Sequence, residues 1–209
     1  MTFKALMFSL ACLAVALAEC IDTKTNVINV EDGRPALPIH TVGGSFGAYS
    51  VKQEPSCHEQ KVTVPSFKFP GSIKLLSGSI TVSKPLKLVG QTKLLLTVQK
   101  RSALVGIICQ DGVSRYAGLD NKYCQPDVCK EPTKFCKLLE NPGTYDFDTL
   151  REAIGKNGSL PLPPAPLLLK RVLTGEWRLD GKFVVGDEVV GHLKVATTAG
   201  WIYFEEGKI

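Results

Sequence analysis

The chain has 209 residues, a length that fits one domain with a short appendage. Lys and Arg number 25 and Asp and Glu number 20, which gives a net charge of +5. These charges are scattered, so the sequence lacks the concentrated basic surface of a nucleic-acid-binding protein. The small positive excess favours contact with an anionic membrane.

The first 18 residues have the features of a secretory signal peptide. Lys4 supplies the positive start, an apolar run covers residues 6–17, and Ala16-Leu17-Ala18 is an A-x-A cleavage site. The run is too short to span a bilayer comfortably, and no later stretch reaches spanning length. We therefore expect a soluble mature protein that is secreted or lysosomal, since no segment distinguishes these two destinations.

Removal of the signal peptide takes Cys12 away and leaves an even number of cysteines. In an oxidising compartment such a set predicts three disulfides, although the sequence alone leaves the pairing open. The last three cysteines are close enough together to suggest a metal cluster, but they lack paired C-x-x-C spacing, so no metal site is expected. The six cysteines are Cys20, Cys57, Cys109, Cys124, Cys129 and Cys136.

Residues 19–56 are polar and contain the turn-forming stretches 33–38 and 43–47, so we interpret them as a loop-rich N-terminal extension. A compact domain is expected over residues 57–209. There, short segments with alternating apolar residues are separated by turns, which predicts an all-β sandwich or barrel. Strands are expected near residues 62–64, 80–82, 94–98, 105–109, 176–185, 188–197 and 201–204.

The stretch 144–154 predicts one short helix. Phe147, Leu150 and Ile154 fall on one side of it, and Gly155 follows as a terminator. Acidic residues near its start favour the helix dipole and need no catalytic role. Just beyond, Asn157 begins an N-glycosylation acceptor, which places it in a surface turn.

A proline- and leucine-rich segment at residues 160–177 is the most informative part of the chain. Its four prolines, at positions 161, 163, 164 and 166, predict an extended path along a sheet edge or over the surface. An apolar loop of this kind, followed by Lys170 and Arg171, suits a site that meets lipid. The alternative interpretation is a core-facing strand after a proline-rich bend.

Catalytic chemistry has little support in the sequence. Ser45 lies in Gly43-Gly44-Ser45-Phe46-Gly47, which matches G-x-S-x-G, but a nucleophile elbow needs a strand before it and a helix after it. The three histidines form no ligand pair, and a cross-strand polar contact explains His192. We therefore expect no enzyme activity, no cofactor and no metal.

A binding interior is better supported than a catalytic site. A sandwich with aliphatic inner faces, open at one end beside an apolar loop, would hold an acyl chain. Core packing is the alternative explanation for each single residue. The residues expected on the inner faces are Leu94, Leu96, Val98, Ile107, Trp177, Phe183 and Val195.

The order of several short motifs over residues 57–199 resembles the GM-two-type ganglioside activators of lysosomes, members of the ML-type lipid-recognition superfamily. The resemblance depends on the order of these motifs along the chain more than on any single one. The resemblance is carried by Pro70-Gly71-Ser72-Ile73-Lys74-Leu75, Ser79-Ile80-Thr81-Val82, Ser83-Lys84-Pro85-Leu86-Lys87-Leu88, Val105-Gly106-Ile107-Ile108-Cys109, Pro142-Gly143-Thr144-Tyr145, Leu173-Thr174-Gly175-Glu176-Trp177 and Val190-Gly191-His192-Leu193-Lys194-Val195-Ala196.

This resemblance implies an immunoglobulin-like β-sandwich that forms a lipid-binding β-cup with apolar loops at its mouth. It also implies a non-enzymatic protein that lifts a glycosphingolipid from a membrane and presents it to a soluble glycosidase. The membrane-touching loop of the family corresponds to residues 160–173. That correspondence adds four residues to the expected lipid-binding set, namely Leu167, Leu168, Leu169 and Val172.

The resemblance also implies the disulfide pairing. Cys109–Cys124 and Cys129–Cys136 match two local bridges of the family. Cys57 matches the first cysteine of the family, but His192 stands where its partner would be, and Cys20 is the obvious substitute. The last local cysteine pair of the family is missing from this sequence.

Three functions remain as hypotheses. The first is a lipid-binding and transfer protein for glycolipid, sphingolipid or phospholipid, with transient membrane contact and a soluble glycosidase as a candidate partner. The second is a secreted hydrolase that uses Ser45. The third is an extracellular recognition domain without a ligand cavity.

Overall fold

The computed structural model describes residues 19–59, 63–130, 133–195 and 201–207. The expected signal peptide, with Cys12, lies outside the described residues. The strands are β1 (Val27–Asp32), β2 (Ile39–Tyr49), β3 (Cys57–His58), β4 (Val64–Phe69), β5 (Gly71–Val82), β6 (Thr92–Lys100), β7 (Ile107–Gln110), β8 (Val113–Ser114), β9 (Gly143–Tyr145), β10 (Ser159–Leu162), β11 (Gly175–Val185), β12 (Glu188–Val195) and β13 (Ile202–Glu206). The α-helices are α1 (Thr133–Leu139), α2 (Phe147–Ile154) and α3 (Leu167–Leu173).

The strands form one curled sheet in the order β10-β5-β2-β1-β12-β11-β13-β4-β3. Strand β6 pairs with the opposite edge of β11 and leads into the β7–β8 hairpin, while β9 pairs with β5. The pairing is antiparallel except for β13 with β4 and a single parallel bridge between β12 and β2. The prediction of an all-β sandwich curled into a cup is therefore confirmed.

Two apolar clusters pack against this sheet. One lies beneath α3 and includes Ile108, Trp177 and Phe204. The other includes Val82 together with Leu139 of α1, Leu150 of α2 and Val190. Helix α3 therefore packs on one cluster, and helices α1 and α2 pack on the other.

The prediction of a loop-rich extension over residues 19–56 is wrong. Strands β1 and β2 belong to this segment, and they lie in the middle of the sheet. Val30 pairs with Val195 of β12, and Ala48 pairs with Ile73 of β5. Glycines and polar residues interrupt the apolar pattern of these strands, while Ile28, Val30 and Ala48 are buried in the core. A domain boundary at Cys57 would therefore cut through the sheet.

The expected helix near residues 144–154 is present as α2, which begins at Phe147. Asp146 caps it by accepting a hydrogen bond from the Thr149 N–H at 2.9 Å. Hydrogen bonds from Thr149 lower the pKa of the Asp146 carboxyl. Gly155, with φ 72°, ends the helix as predicted. Helices α1 and α3 were not expected, so the single predicted helix is one of three.

The proline-rich segment is extended only in its first half. Residues 159–162 form β10, which pairs with β5 at one end of the strand order, where Pro161 is tolerated. Beyond Pro166 the chain turns into α3, contrary to the extended path expected there. Pro166 precedes the first helical turn, where a missing N–H costs nothing. The alternative interpretation of residues 167–173 as a core-facing strand is also wrong.

The six cysteines form three disulfides, Cys20–Cys57, Cys109–Cys124 and Cys129–Cys136. This is the pairing that the family resemblance implied, and the last three cysteines are therefore not a metal cluster. Within the described ranges, no group of three His, Cys, Asp or Glu side chains is placed to hold a metal ion. None of the helices described is long and apolar enough to cross a membrane.

Candidate functional site

The inner face of the cup is built by three neighbouring strands. Leu94 lies opposite Phe183, Leu96 opposite Gly181, and Val98 opposite Leu179. On the other side of β11, Leu179 lies opposite Val195 of β12. Directly opposed residues project to the same face of a sheet. The structure therefore brings Leu94, Leu96, Val98, Phe183 and Val195 together on one apolar surface. The prediction for Ile107 is wrong, because it lies opposite Gln99 and is exposed.

The apolar side chains around this surface are incompletely covered. Trp177, which continues the same row on β11, is 2 % exposed and belongs to the packed core. By contrast, ten neighbours that pack on the same core are only partly buried. They are Phe69, Ile73, Leu96, Val98, Val105, Tyr116, Leu162, Leu169, Leu179 and Val195.

Gly181 lies at the centre of this inner face, under the leucines of β6. A Cβ atom built on Gly181 would lie 3.0 Å from Leu94 Cδ1 and 3.7 Å from Leu96 Cδ2. Because glycine has no side chain, these leucines extend across β11 without a facing residue. They fill the space above the glycine and add to the apolar surface of the inner face.

An exposed apolar rim stands at the end of the cup where β6 ends and β11 begins. It consists of Leu104 and Ile107 from the loop and strand after β6, and Leu167 and Leu168 from α3. Their exposed fractions are 98 %, 41 %, 84 % and 44 % in that order. Groups of exposed apolar side chains mark surfaces that meet lipid or another protein.

Helix α3 contacts both the end of β6 and the loop after β8. Lys100, the last residue of β6, donates hydrogen bonds from Nζ to the carbonyl oxygens of Val172 and of Thr174, the latter at 2.8 Å. A Cβ atom built on Gly118 would lie 3.4 Å from Leu168 Cδ2, so the 115–119 loop packs beside α3. The helix is therefore held at the same end of the sheet as the loop that follows β6.

Lys100 holds the C-terminal end of α3 against the sheet. Its ammonium lies 5.5 Å from the centre of the Trp177 ring and binds carbonyls at the C-terminal end of the helix, where a cation is favourable. Burial lowers the pKa of Lys100. The Trp177 indole N–H also donates to the Leu173 carbonyl at 2.6 Å. Two side chains of the sheet, Lys100 and Trp177, thus donate hydrogen bonds to carbonyl oxygens at the C-terminal end of α3.

Replacing Lys100 with methionine is expected to loosen α3 without unfolding the cup. The apolar stem remains, but the hydrogen bonds to carbonyls are lost, and charged hydrogen bonds contribute about 1.5–3 kcal/mol. Amide hydrogen exchange in α3 should therefore become about tenfold faster or more. Lys170→Met is the control, because it removes only an exposed ion pair with Glu206. Equal exchange in the two variants would contradict the role of Lys100.

Basic side chains border the rim, but two of them are paired. Lys170 Nζ lies 2.6 Å from Glu206 Oε1, and Arg101 Nη1 lies 3.2 Å from Glu176 Oε2. Arg171, the second cation that the sequence singled out, is exposed at the C-terminal half of α3. The rim is therefore mainly apolar and carries only a weak positive charge.

Four predicted lipid-binding residues lie in α3, in different surroundings. Leu167 and Leu168 are exposed, Leu169 packs against the core, and Val172 is half-buried next to Lys100. Sequence reasoning missed Leu104, Leu179 and Lys100. The alternation in strand β11 indicates Leu179, whereas the other two positions depend on contacts between distant segments.

Ser45 lies inside strand β2, at an irregularity in its pairing with β5. Its hydroxyl is 2.7 Å from that of Ser77, and Ser77 donates to the Gly43 carbonyl. A nucleophile elbow is a sharp turn between a strand and a helix. The structure therefore contradicts the local geometry that the hydrolase hypothesis requires.

His192 makes the cross-strand polar contact that the sequence predicted. Its Nε2 lies 2.7 Å from Asp180 Oδ1, and the imidazole is buried. A Cβ atom built on Gly33 would lie 2.3 Å from His192 Nδ1, so glycine is required where the chain crosses the ring. The packed imidazole of His192 thus occupies the position that corresponds to a cysteine in the family that the sequence resembles.

Two surface depressions of about 390 and 400 Å³ lie elsewhere on the molecule. None of the predicted lipid-binding residues lines either of them. The first is lined by Val51, Gln53, Gly71, Ser72, Lys156, Ser159 and Pro161. The second is lined by Asn29, Val30, Glu31, Asp32, Thr41, Val42, Gly43 and Gly44.

The fold and the rim together define an all-β cup that carries exposed apolar side chains at the end where α3 lies. No protein-family model matches the chain, and no curated protein matches it. The assignment of a function therefore depends on the geometry of the rim and of the inner face.

Proposed function

We propose that this protein is a non-enzymatic lipid-binding and lipid-transfer protein of the ML type. The observation that carries the proposal is the exposed apolar rim, placed directly beside the partly buried inner face of the cup. The rim would touch a membrane, and the inner face would receive the acyl chains of the extracted lipid.

Energetics support a membrane contact at the rim. Full burial of a leucine side chain contributes roughly 1.5–3 kcal/mol. Leu104 and Leu167 are almost completely exposed, so each would contribute nearly all of this free energy on entering acyl chains. Arg171 adds a smaller attraction to anionic head groups, about 1 kcal/mol, which salt screens. Burial of apolar side chains therefore contributes more to the free energy of membrane binding than the attraction of Arg171 to head groups does.

Access of a lipid to the inner face requires α3 to move. The helix packs on the core through Leu169 and Leu173, and Lys100 holds its C-terminal end. A lipid chain that displaced α3 would replace these apolar contacts with its own and would reach Val98 and Leu179. Binding and helix displacement are then coupled, so ligand affinity depends on how firmly α3 is held.

The ligand class is a lipid with at least one acyl chain, and a glycolipid or sphingolipid head group would remain outside the cup. The exposed head group of such a complex would be available to a soluble glycosidase, which is the activator function that the family resemblance implies. Three disulfides indicate an oxidising compartment. Within that class of location, we propose secretion or delivery to the lysosome.

A recognition domain without a lipid cavity is the second candidate. One observation favours it, because none of the predicted lipid-binding residues lines either surface depression. Under this alternative the rim would contact a protein, and the inner face would be ordinary core.

Native mass spectrometry of the protein secreted from cultured cells tests the proposal. We expect adducts with the masses of lipids, and their release into organic solvent should leave the apo mass. The same protein should then take up fluorescent phosphatidylcholine or a fluorescent glycosphingolipid from vesicles. A protein that carries no lipid and acquires none from either vesicle would favour the recognition domain.

A further inference from the structure

We propose that the N-linked glycan expected on Asn157 packs into the neighbouring surface depression, which serves as its carbohydrate-binding site. This inference concerns a part of the molecule that the lipid proposal does not use. It depends on the acceptor, on the depression and on the position of both at a sheet edge.

The acceptor lies on a well-defined turn. Asn157 is exposed and adopts the left-handed conformation, with φ 57° and ψ 32°, within the short 3₁₀ turn Lys156–Gly158. The Gly158 N–H donates to the Gly155 carbonyl at 2.7 Å, and a Cβ atom built on Gly158 would lie 2.9 Å from Arg151 Cγ. The turn is thus fixed against α2, and a sugar attached to Asn157 starts from a defined place.

The depression begins beside the acceptor. Lys156 and Ser159, two of its lining residues, stand on either side of the Asn157-Gly158 pair in the chain. Its volume of about 390 Å³ falls in the range of roughly 300–1,000 Å³ that small-molecule sites occupy. A glycan on Asn157 therefore reaches the depression with its first sugars.

The lining has the chemistry that binds a sugar. Val51 and Pro161 present apolar surface to the C–H face of a pyranose ring, while Ser72, Ser159 and Gln53 present hydroxyl and amide groups. Gln53 donates from Nε2 to Ser72 Oγ at 3.1 Å, which places the two polar groups side by side. Binding sites combine apolar surface with a few oriented polar groups in this way.

The position of the depression gives the glycan a structural role. Strand β10 carries Ser159 and Pro161, and in the described part of the chain it pairs with β5 alone. An unpaired strand edge invites pairing with other chains, and proteins protect such edges by covering them. A glycan held against β10 would cover this edge.

The test is a mutant cycle on the protein secreted from cells that attach N-glycans. Val51→Ser removes apolar surface from the depression, Asn157→Gln removes the glycan, and a third variant combines both. Val42→Ser is the matched control, because Val42 is 60 % exposed and lines the second depression. The measurements are intact mass, melting temperature and the rate at which a glycosidase releases the glycan from the native protein.

We expect one glycan in the mass spectrum and non-additive effects in the cycle. Val51→Ser should lower the melting temperature of the glycosylated protein more than that of the Asn157→Gln protein. It should also speed native glycan release by a factor of about two or more, the lower limit for groups in contact. Val42→Ser should leave the release rate unchanged. An unmodified Asn157, additive effects or equal release rates would overturn the proposal.

Discussion

Replacing both Leu167 and Leu168 with serine is expected to weaken binding to mixed phosphatidylcholine and phosphatidylserine vesicles by about 100-fold or more. Each leucine contributes roughly 1.5–3 kcal/mol when buried in acyl chains, and about 1.4 kcal/mol corresponds to a factor of ten. The melting temperature should change little, because both side chains are exposed in the folded protein. Vesicle co-sedimentation and thermal melting on one preparation measure the two effects.

Two matched variants make this result interpretable. Leu169→Ser should lower the melting temperature, because Leu169 packs against the core on the other side of α3. Val89→Ser removes an exposed apolar side chain before the opposite end of β6 and should affect neither measurement. If the double serine variant still bound vesicles normally, the rim would not be the membrane contact.

Replacing Leu96 with tryptophan is the second change with a large expected effect. Leu96 is only partly buried and lies opposite Gly181, which has no side chain of its own, so the larger ring would extend over the incompletely covered part of the inner face. It would occupy the space proposed for an acyl chain and should abolish most uptake of fluorescent phosphatidylcholine. Because the position is incompletely covered, the melting temperature should fall only slightly.

Leu75→Trp provides the control for overfilling. Leu75 is buried in the cluster beside α1 and α2, where an added ring meets packed atoms. Overfilling a packed core typically costs about 1–3 kcal/mol, so this variant should melt at a clearly lower temperature. If Leu96→Trp destabilised the protein as strongly and left lipid uptake unchanged, the inner face would be ordinary core.

The sheet could be predicted from the sequence where its strands alternate cleanly. KLLLTVQK at β6 and the residues around Trp177 place apolar side chains at every second position, and the structure shows them on one face. Strands β1 and β2 could not be predicted in this way, because glycine and polar residues interrupt them. Their apolar positions, Ile28, Val30 and Ala48, are few, and only pairing with distant strands makes their burial apparent.

Helix α3 shows how far along the chain the prolines can be used to exclude a helix. Four prolines exclude a helix through residues 161–166, but they place no constraint on the residues after Pro166. The seven residues of α3 are leucine, lysine, arginine and valine, most of which favour helices. Proline before the first turn is compatible with a helix, so an extended path is justified only as far as Pro166.

The residues that line the candidate site could be predicted from the sequence, but the contacts that hold α3 in place could not. Strand periodicity and the family resemblance indicated the inner face and the leucines of α3. Lys100 carries no local signature, because its role depends on the carbonyls of Val172 and Thr174, which are distant in the chain. Leu104 is a single leucine in a short loop, and only the folded arrangement places this loop, which follows Lys100, at the end of the sheet that carries α3.

The pairing of early strands with late ones sets an order for biosynthesis. Strand β1 pairs with β2 and β12, and β4 pairs with β3 and β13, so each early strand has one partner that is made early and one that is made last. A nascent chain that emerges from its amino end must therefore keep one edge of each strand unpaired until translation is nearly finished, and such long-range pairing folds slowly. Cys20 and Cys57, by contrast, emerge early and can join before the sheet closes. The two open strand edges would consequently need protection from other chains until β12 and β13 have been made.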